Sequence, residues 1–337
     1  MLQKRYRSYV DHLFFILADS HPKVRRILIT GGTGFVGPHL IRHLKTSSSK
    51  IVVLSSGSST SEQEPGIEYR EVDLRVRDQV GSVVRDLSPD EIYHLAAISA
   101  VNVAWNTPQL TFDVNVLGTY NLFEAAMSLP SPPRILNIST SHVYASSQMA
   151  LSEDSLVRPE NPYAASKAMA ELLAVQYRRH RTGGIVTARP FNHTGPGQST
   201  NFVLPSIAKQ FAEIQLGKRP PKIAVGNIGV RRDFTDVRDV VRAYRMLVSN
   251  GTISEAYNVC RGSAVSLADI FEMFQSAAGV RVSIETDRKR LRANDAPQTL
   301  GDPSKIYEAT GWSPEIPLEK SIRDLLCYWR LNAAAGS

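Results

Sequence analysis

Residues 26–37, Arg26-Ile-Leu-Ile-Thr-Gly-Gly-Thr-Gly-Phe-Val-Gly37, decide the fold. Three apolar residues (Ile27, Leu28, Ile29) run into a glycine-rich turn, and Leu40, Ile41 and Leu44 follow at helical spacing. That order predicts a buried parallel strand, a tight turn and a helix N-terminus. Gly32, Gly34 and Gly37 satisfy G-x-G-x-x-G, with Gly31 just ahead. The early glycines allow close backbone approach to a pyrophosphate, and the last lets the helix pack on the strand. Gly31, Thr33, Gly34, Phe35, Val36 and Gly37 are therefore expected to surround a diphosphate. Glycine-rich turns are common, so the motif draws its weight from what lies downstream.

Further apolar runs at 51–54, 67–72, 91–96, 134–139 and 184–189 read as strands, with helical patterns at 109–128 and 163–180 between them. Strands alternating with helices imply right-handed crossovers and an α/β fold with a doubly wound parallel sheet of the Rossmann type. Near residue 190 the pattern changes. Prolines and glycines cluster at 190–197 and 217–221, helical spacing returns at 202–215, 267–278 and 318–331, and Tyr257–Cys260 reads as a strand rejoining the main sheet. The expected organisation is an extension over 1–23, a dinucleotide-binding domain over 24–190 plus about 236–260, and a smaller discontinuous domain over about 191–235 and 261–330. Ligands of such sheets bind at the carboxyl ends of the strands.

The chain of 337 residues suits about two domains, and 42% hydrophobic residues is ample for large cores. Net charge is +7, of which +4 falls in residues 1–26, where six cations face two carboxylates. What remains is too dilute for a nucleic-acid surface. The apolar stretch Leu13–Ala18 is too short to span a bilayer and has acidic flanks, so neither a membrane span nor a signal peptide is expected. It reads as an added docking helix or as the product of a start codon assigned too far upstream. Cys260 and Cys327 form no C-x-x-C pair and are expected to be core thiols of a cytoplasmic protein, with no metal site.

Tyr163-Ala-Ala-Ser-Lys167 is the second anchor. Four residues apart on a helix, Tyr163 and Lys167 share a face. A phenol titrates near about 10. A neighbouring ammonium would lower that value and help the phenol exchange a proton with a reacting oxygen during hydride transfer. A lone Y-x-x-x-K is more often an ordinary helix pair. The hydroxyl cluster Ser139-Thr140-Ser141, closing the fifth predicted strand, places a hydrogen-bonding group where such an oxygen would lie.

Thr30–Gly37, Asp73-Leu74, His94-Leu-Ala-Ala97, Asn115-Val-Leu-Gly-Thr119, Ser139-Thr140 and Tyr163–Lys167 occur in the order found in the extended short-chain dehydrogenase/reductase family, whose members modify nucleotide sugars. The resemblance covers about residues 24–330. It implies Thr140, Tyr163 and Lys167 as catalytic residues and Asn115 as structural. It places Asp73 and Leu74 at the adenine and Leu95, Ala96 and Ala97 along the cofactor. It also implies a homodimer through the helices near 109–128 and 163–180, with Glu171, Leu172, Gln176 and Tyr177 near the seam. Enzymes of this kind that prefer NAD carry an acid after the second strand. Here that strand ends Leu54-Ser55-Ser56-Gly57 with no carboxylate, so NADP(H) is expected in preference to NAD(H), with Ser55 and Ser56 beside the 2′-phosphate. No arginine stands in that loop; Arg42, Lys45 and Lys50 are the nearest cations in sequence.

The resemblance also implies the substrate side. Asn192 and Asn201 would meet the sugar nucleotide. Arg232, in Arg232-Asp-Phe, would hold its diphosphate, and Arg292, in Arg292-Ala-Asn-Asp295, would supply a second guanidinium, although Ala293 replaces the family's proline. Guanidinium forks suit phosphate oxygens. Ser99, Ser141 and His142 complete the expected substrate contacts. The wording of 190–198 and 232–239 is closest to the family's reductases of GDP-linked 4-keto-6-deoxy sugars. Its dehydratases carry a carboxylate two residues before the tyrosine of the Val-Tyr pair, where this chain has His142, preceded by Ser141. Ketone reduction needs only Thr140, Tyr163 and Lys167. The expectation is therefore NADPH-dependent reduction of the 4-keto group of GDP-4-keto-6-deoxymannose; the alternatives are 4,6-dehydration, a 6-deoxytalose-forming reduction and 4-epimerisation.

Overall fold

The computed structural model describes residues 24–57, 63–177, 183–287 and 296–335. The 1–23 extension and Arg292 lie outside them. The first half alternates as expected: β1 (Arg25–Thr30), α1 (Val36–Leu44), β2 (Ser49–Ser55), β3 (Glu68–Glu71), α2 (Arg77–Leu87) and β4 (Glu91–His94). Then come α3 (Val101–Asn106), α4 (Pro108–Phe112), a π turn (Asp113–Leu117), α5 (Gly118–Met127), β5 (Arg134–Ile138), α6 (Pro162–Gln176) and β6 (Gly184–Pro190). The helix read across 109–128 is thus α4 and α5 joined by one wide turn. That turn places Asn115 against the loop after β4, where its side chain bonds Ile98 through both N–H and C=O.

The second half contains β7 (Asn192–Thr194), α7 (Val203–Gln215), β8 (Lys222–Val225), β9 (Arg231–Asp236), α8 (Val237–Asn250) and β10 (Ala256–Val259). It closes with β11 (Ala264–Ser266), α9 (Leu267–Ala278), β12 (Ser283–Thr286), β13 (Gln298–Thr299), α10 (Ser304–Thr310) and α11 (Leu318–Ala335). Local chemistry sets these boundaries. Asn161 and Asp236 cap α6 and α8 through their side chains, Ser266 and Asp269 form a capping box on α9, and Gly279 ends α9 in the left-handed region.

Seven strands form one sheet in the order β10-β6-β5-β4-β1-β2-β3, every neighbouring pair parallel. From β1 the chain winds outward to β3, then returns to β4 on β1's other side. The reversal opens a crevice at the carboxyl tips of β1 and β4, the place where such sheets bind ligands. Leu28, Ile92 and Ile135 face α2 and α5 on one side, whereas Ile27, Ile29 and Leu136 face α1 and α8 on the other. Each such fully buried aliphatic side chain contributes roughly 1.5–3 kcal/mol.

A separate apolar core unites α7, α9 and α11 through Phe211, Phe271, Phe274 and Ile322. Small sheets link it to the crevice: β9 pairs with β7, β11 and β13, and β8 pairs with β12. Ile306 and Trp312, from the stretch assigned to the smaller domain, pack in the core beneath the large sheet. One expectation fails outright: Cys260 is buried, but Cys327 lies exposed on α11, because it falls on the face turned away from the packed residues Leu325 and Leu326. Among the described residues no helix is long and apolar enough to cross a membrane.

Candidate active site

The glycine turn is shaped by close approach. Gly31 has φ +67°, and a Cβ there would sit 2.6 Å from the Ala96 backbone; a Cβ on Gly37 would sit 1.9 Å from the Gly32 carbonyl oxygen. Only glycine permits that turn and that packing of α1. The first turn of α1 carries no acid and no side-chain cap, so its N–H groups and positive dipole end remain available to an anion. This cradle fits a dinucleotide pyrophosphate. Thr30 and Thr119 hold the buried His94 ring at 2.7 and 2.8 Å, fixing the tips of β1 and β4. Burial pulls the His94 imidazole down to about 3, so it is a neutral brace.

The crevice is a cavity of about 1240 Å³, above the roughly 300–1,000 Å³ of ordinary small-molecule sites. Gly31, Thr33, Gly34, Phe35, Val36 and Gly37 line it together with Ser55, Ser56, Asp73, Leu74, Leu95, Ala96 and Ala97. So do Thr140, Tyr163 and Lys167, and, of the expected substrate residues, Ser99, Ser141, His142, Asn192, Asn201 and Arg232. Arg292 alone of the expected site lies outside the described residues.

Tyr163 and Lys167 project from one face of α6, both buried. Thr140, in extended backbone after β5, hydrogen-bonds the Tyr163 phenol and accepts from the His142 N–H at 3.2 Å. The His142 ring meets the Tyr163 ring edge-on, with centroids 6.2 Å apart. Lys167 Nζ donates to the Ile138 carbonyl at 2.7 Å. Here the structure corrects the expected electrostatics. Tyr163 is not acidified by its lysine: burial pushes the phenol up to about 12, and only the Thr140 hydrogen bond works the other way. Burial acts on the lysine too, drawing it down to about 8, with Glu171 opposing. The phenol is consequently a proton donor at neutral pH, the state that ketone reduction requires.

Apart from Asn115, which the resemblance marks as structural, the side chains that brace these residues have no local sign in the sequence. Arg189 at the end of β6 grips Glu171 of α6 at 2.7–3.2 Å and bonds the Tyr144 hydroxyl at 2.9 Å, while Tyr144 donates to Asn258 of β10 at 2.7 Å. This buried network clamps the Tyr163 helix to the sheet. Asn115 Nδ2 reaches Ser166 at 2.9 Å, and Ser166 in turn bonds the Tyr163 carbonyl, so the asparagine braces the same helix from below. Phe35 of the glycine turn stacks on His193 with centroids 6.0 Å apart and planes 7° from parallel. His39 on α1 bonds the Pro196 carbonyl at 2.9 Å, tying the turn to the strand–loop that carries Asn192. Such pairings arise only from tertiary folding; the one local hint was the aromatic pair Phe35 and His193 flanking glycine-rich turns.

Asp73 is the single carboxylate among the described residues lining the cavity, and it sits by Leu74 and Ser55, far along the sheet from Tyr163. Lys167, Arg232 and Arg75 are the described lysine and arginine side chains that line it. Arg232, on β9, bonds the Ala296 carbonyl at 2.8 Å. Among the described residues no group of three or more His, Cys, Asp or Glu side chains could hold a metal ion.

A parallel sheet in this order, a glycine cradle at its switch point and a buried Thr-Tyr-Lys set define an extended short-chain dehydrogenase/reductase, an oxidoreductase. More particularly, a family model described as GDP-mannose 4,6 dehydratase matches residues 28–325, and the chain belongs to that family. It is 35% identical over 308 residues to the GDP-6-deoxy-D-mannose reductase of Pseudomonas aeruginosa, covering 90% of this chain and 97% of that one. It is 33% identical over 288 residues to the GDP-6-deoxy-D-talose 4-dehydrogenase of Aggregatibacter actinomycetemcomitans, covering 85% and 91%. The structure of RMD from Pseudomonas aeruginosa complexed with NADPH superposes with a TM-score of 0.81 at 34% identity, covering 91% of this chain and 99% of that one.

Proposed function

We propose that this protein is an NADPH-dependent reductase of the 4-keto group of GDP-4-keto-6-deoxy-D-mannose, forming GDP-D-rhamnose. One observation carries the choice of reaction: at the Tyr163 end of the cavity no described residue is a carboxylate, and Ser141 and His142 stand where elimination would need one. Dehydration requires a base for C5 and an acid for the C6 hydroxyl; reduction requires one proton donor. The reductase and NADPH named for the relatives support the same reading.

When bound, NADPH supplies the hydride. Gly31–Gly37 and the α1 N-terminus would hold its pyrophosphate, Asp73 and Leu74 its adenine side, and Lys167 its nicotinamide ribose. Thr140 orients the ketone oxygen, and Tyr163 gives its phenolic proton to that oxygen as charge develops there. Arg232 anchors the sugar-nucleotide diphosphate, so binding energy far from the reacting carbon fixes the sugar in place. Presentation of the opposite sugar face would leave the mechanism unchanged and give GDP-6-deoxytalose. The test is incubation with GDP-4-keto-6-deoxymannose and NADPH, with product identified by NMR. NADPH oxidation matched by GDP-rhamnose is expected; conversion of GDP-mannose without net NADPH consumption would refute the reading.

We infer further that the protein is a cytoplasmic homodimer joined through α4, α5 and α6. On α6, Met169, Leu172 and Val175 are exposed, Leu172 at 68%. Glu171 and Tyr177 face inward instead, held by Arg189 and Glu124. Leu172→Glu is expected to convert the sedimenting species to monomer; an unchanged dimer would exclude this seam.

A further inference from the structure

The loop after β2 poses a problem that the structure resolves elsewhere. It offers Ser55 and Ser56 to a 2′-phosphate but no cation, and a dianion held by hydroxyls alone is poorly neutralised. The cations nearest in sequence are engaged away from the crevice. Arg42 bonds the Pro38 carbonyl and pairs with Glu64, Lys45 bonds the Pro65 carbonyl, and Lys50 pairs with Glu68. None of the three lines the cavity.

Arg75 does line it. It follows β3, which is the parallel neighbour of β2, with Ser55 in register with Glu71 and the Val72 N–H bonded to the Ser55 carbonyl at 2.8 Å. The ends of the two strands therefore bring Ser55 and the 73–75 turn to one corner of the crevice. The turn is fixed: Asn121 Nδ2, itself buried, donates to the Leu74 and Arg75 carbonyls at 2.9 and 3.2 Å, and Val76 N–H closes onto the Asp73 carbonyl at 2.9 Å. What stays adjustable is the guanidinium, which is 43% exposed and forks onto both Asp73 oxygens at 2.6–3.1 Å. That fork holds the Asp73 carboxyl below its usual range, so the acid stays ionised and its charge is cancelled by Arg75.

We propose that Arg75 is the cofactor-specificity residue of this protein: its guanidinium binds the adenosine 2′-phosphate beside Ser55 and Ser56, and its fork onto Asp73 cancels the one carboxylate among the described residues that line the cavity. A planar fork presents donors to two anions at once, so the contact to Asp73 and the contact to phosphate are compatible. Losing Arg75 removes an attraction and exposes a repulsion together. The proposal rests on the NADP reading above.

The test measures binding of adenosine 2′,5′-bisphosphate and of 5′-AMP, which differ only by the 2′-phosphate, to the purified full chain by calorimetry. Preference of the unsubstituted protein for the bisphosphate is expected, and its absence would refute the NADP reading itself. Given that preference, Arg75→Gln should weaken the bisphosphate by about ten- to a hundredfold, the range of a charge-assisted contact, and change 5′-AMP by less than about threefold. Arg75→Lys should recover part of the loss. Arg77→Gln, on the exposed start of α2, should leave both ligands unchanged. A preference retained in Arg75→Gln, or an equal loss for both ligands, would overturn the assignment while leaving the NADP reading intact.

Discussion

In the proposed reaction Tyr163 meets two demands at once: it must stay protonated until the ketone arrives, and it must release that proton when hydride does. Burial secures the first by pushing the phenol up to about 12. The second depends on alkoxide charge forming within reach of Thr140 and Tyr163. Tyr163→Phe is thus expected to keep cofactor binding and lose about two to four orders of magnitude in turnover, measured as NADPH oxidation under saturation. In the same proposed reaction Lys167 would set a pH limit. Its folded value of about 8 lies below its ordinary 10.5, so it loses its proton in the free enzyme as pH rises through about 8, and kcat/KM should fall there. The stability effect has the opposite sign. Between about 8 and 10.5 the unfolded chain binds more protons at this position, so this group's contribution to folding stability rises with pH. A kcat/KM profile flat to pH 10 would remove the charged lysine from the mechanism. At this scale the sequence was informative about identity and misleading about environment: the Tyr-x-x-x-Lys spacing put both side chains on one face of α6, but neither the depth of burial nor the Ile138 carbonyl that accepts the lysine's hydrogen bond is encoded locally.

At the scale of elements, the glycine turn was legible because its glycine spacing answers to local geometry: Gly31 has φ +67°, and a Cβ on Gly37 would meet the Gly32 backbone. The approach of the Ala96 backbone to Gly31 is a tertiary contact that the spacing does not announce. The strands of the large sheet were legible too, being short apolar runs bounded by turns. The clamp on α6 was not, because Arg189 and Glu171 belong to different elements, and nothing near either announces the pairing. Their side chains are only 9% and 12% exposed. Removing one partner leaves a buried charge, and Arg189→Met is expected to cost about 3–5 kcal/mol in urea unfolding. Arg189→Met combined with Glu171→Leu should cost clearly less than the sum of the single changes. Full additivity would show that the pair does not act as a unit. The π turn between α4 and α5 escaped notice likewise, since a widened turn leaves the helical periodicity almost intact.

Across the whole molecule, one cavity lies at the carboxyl edge of the parallel sheet, lined by the glycine turn and the ends of β2, β3 and β4 from the first half of the chain and by Asn192, Asn201 and Arg232 from the second. A parallel, doubly wound sheet binds its ligands at the carboxyl ends of the strands, so that edge could be foreseen, whereas the strand order is a finding of the structure. The strands β7, β9, β11 and β13 could not be foreseen, because each gains its order from pairing rather than from a run of apolar residues. The corner shared by Ser55 and Arg75 has the same origin: two segments twenty positions apart become neighbours only when β2 and β3 pair. The most direct measurement is the fate of the transferred hydrogen. With NADPH deuterated at the transferring position of C4 of its nicotinamide and GDP-4-keto-6-deoxymannose as acceptor, the account predicts one deuterium at C4 of the sugar in the released GDP-6-deoxyhexose, with equal NADPH oxidised. A product without deuterium at that carbon, or turnover with no net oxidation of NADPH, would contradict it.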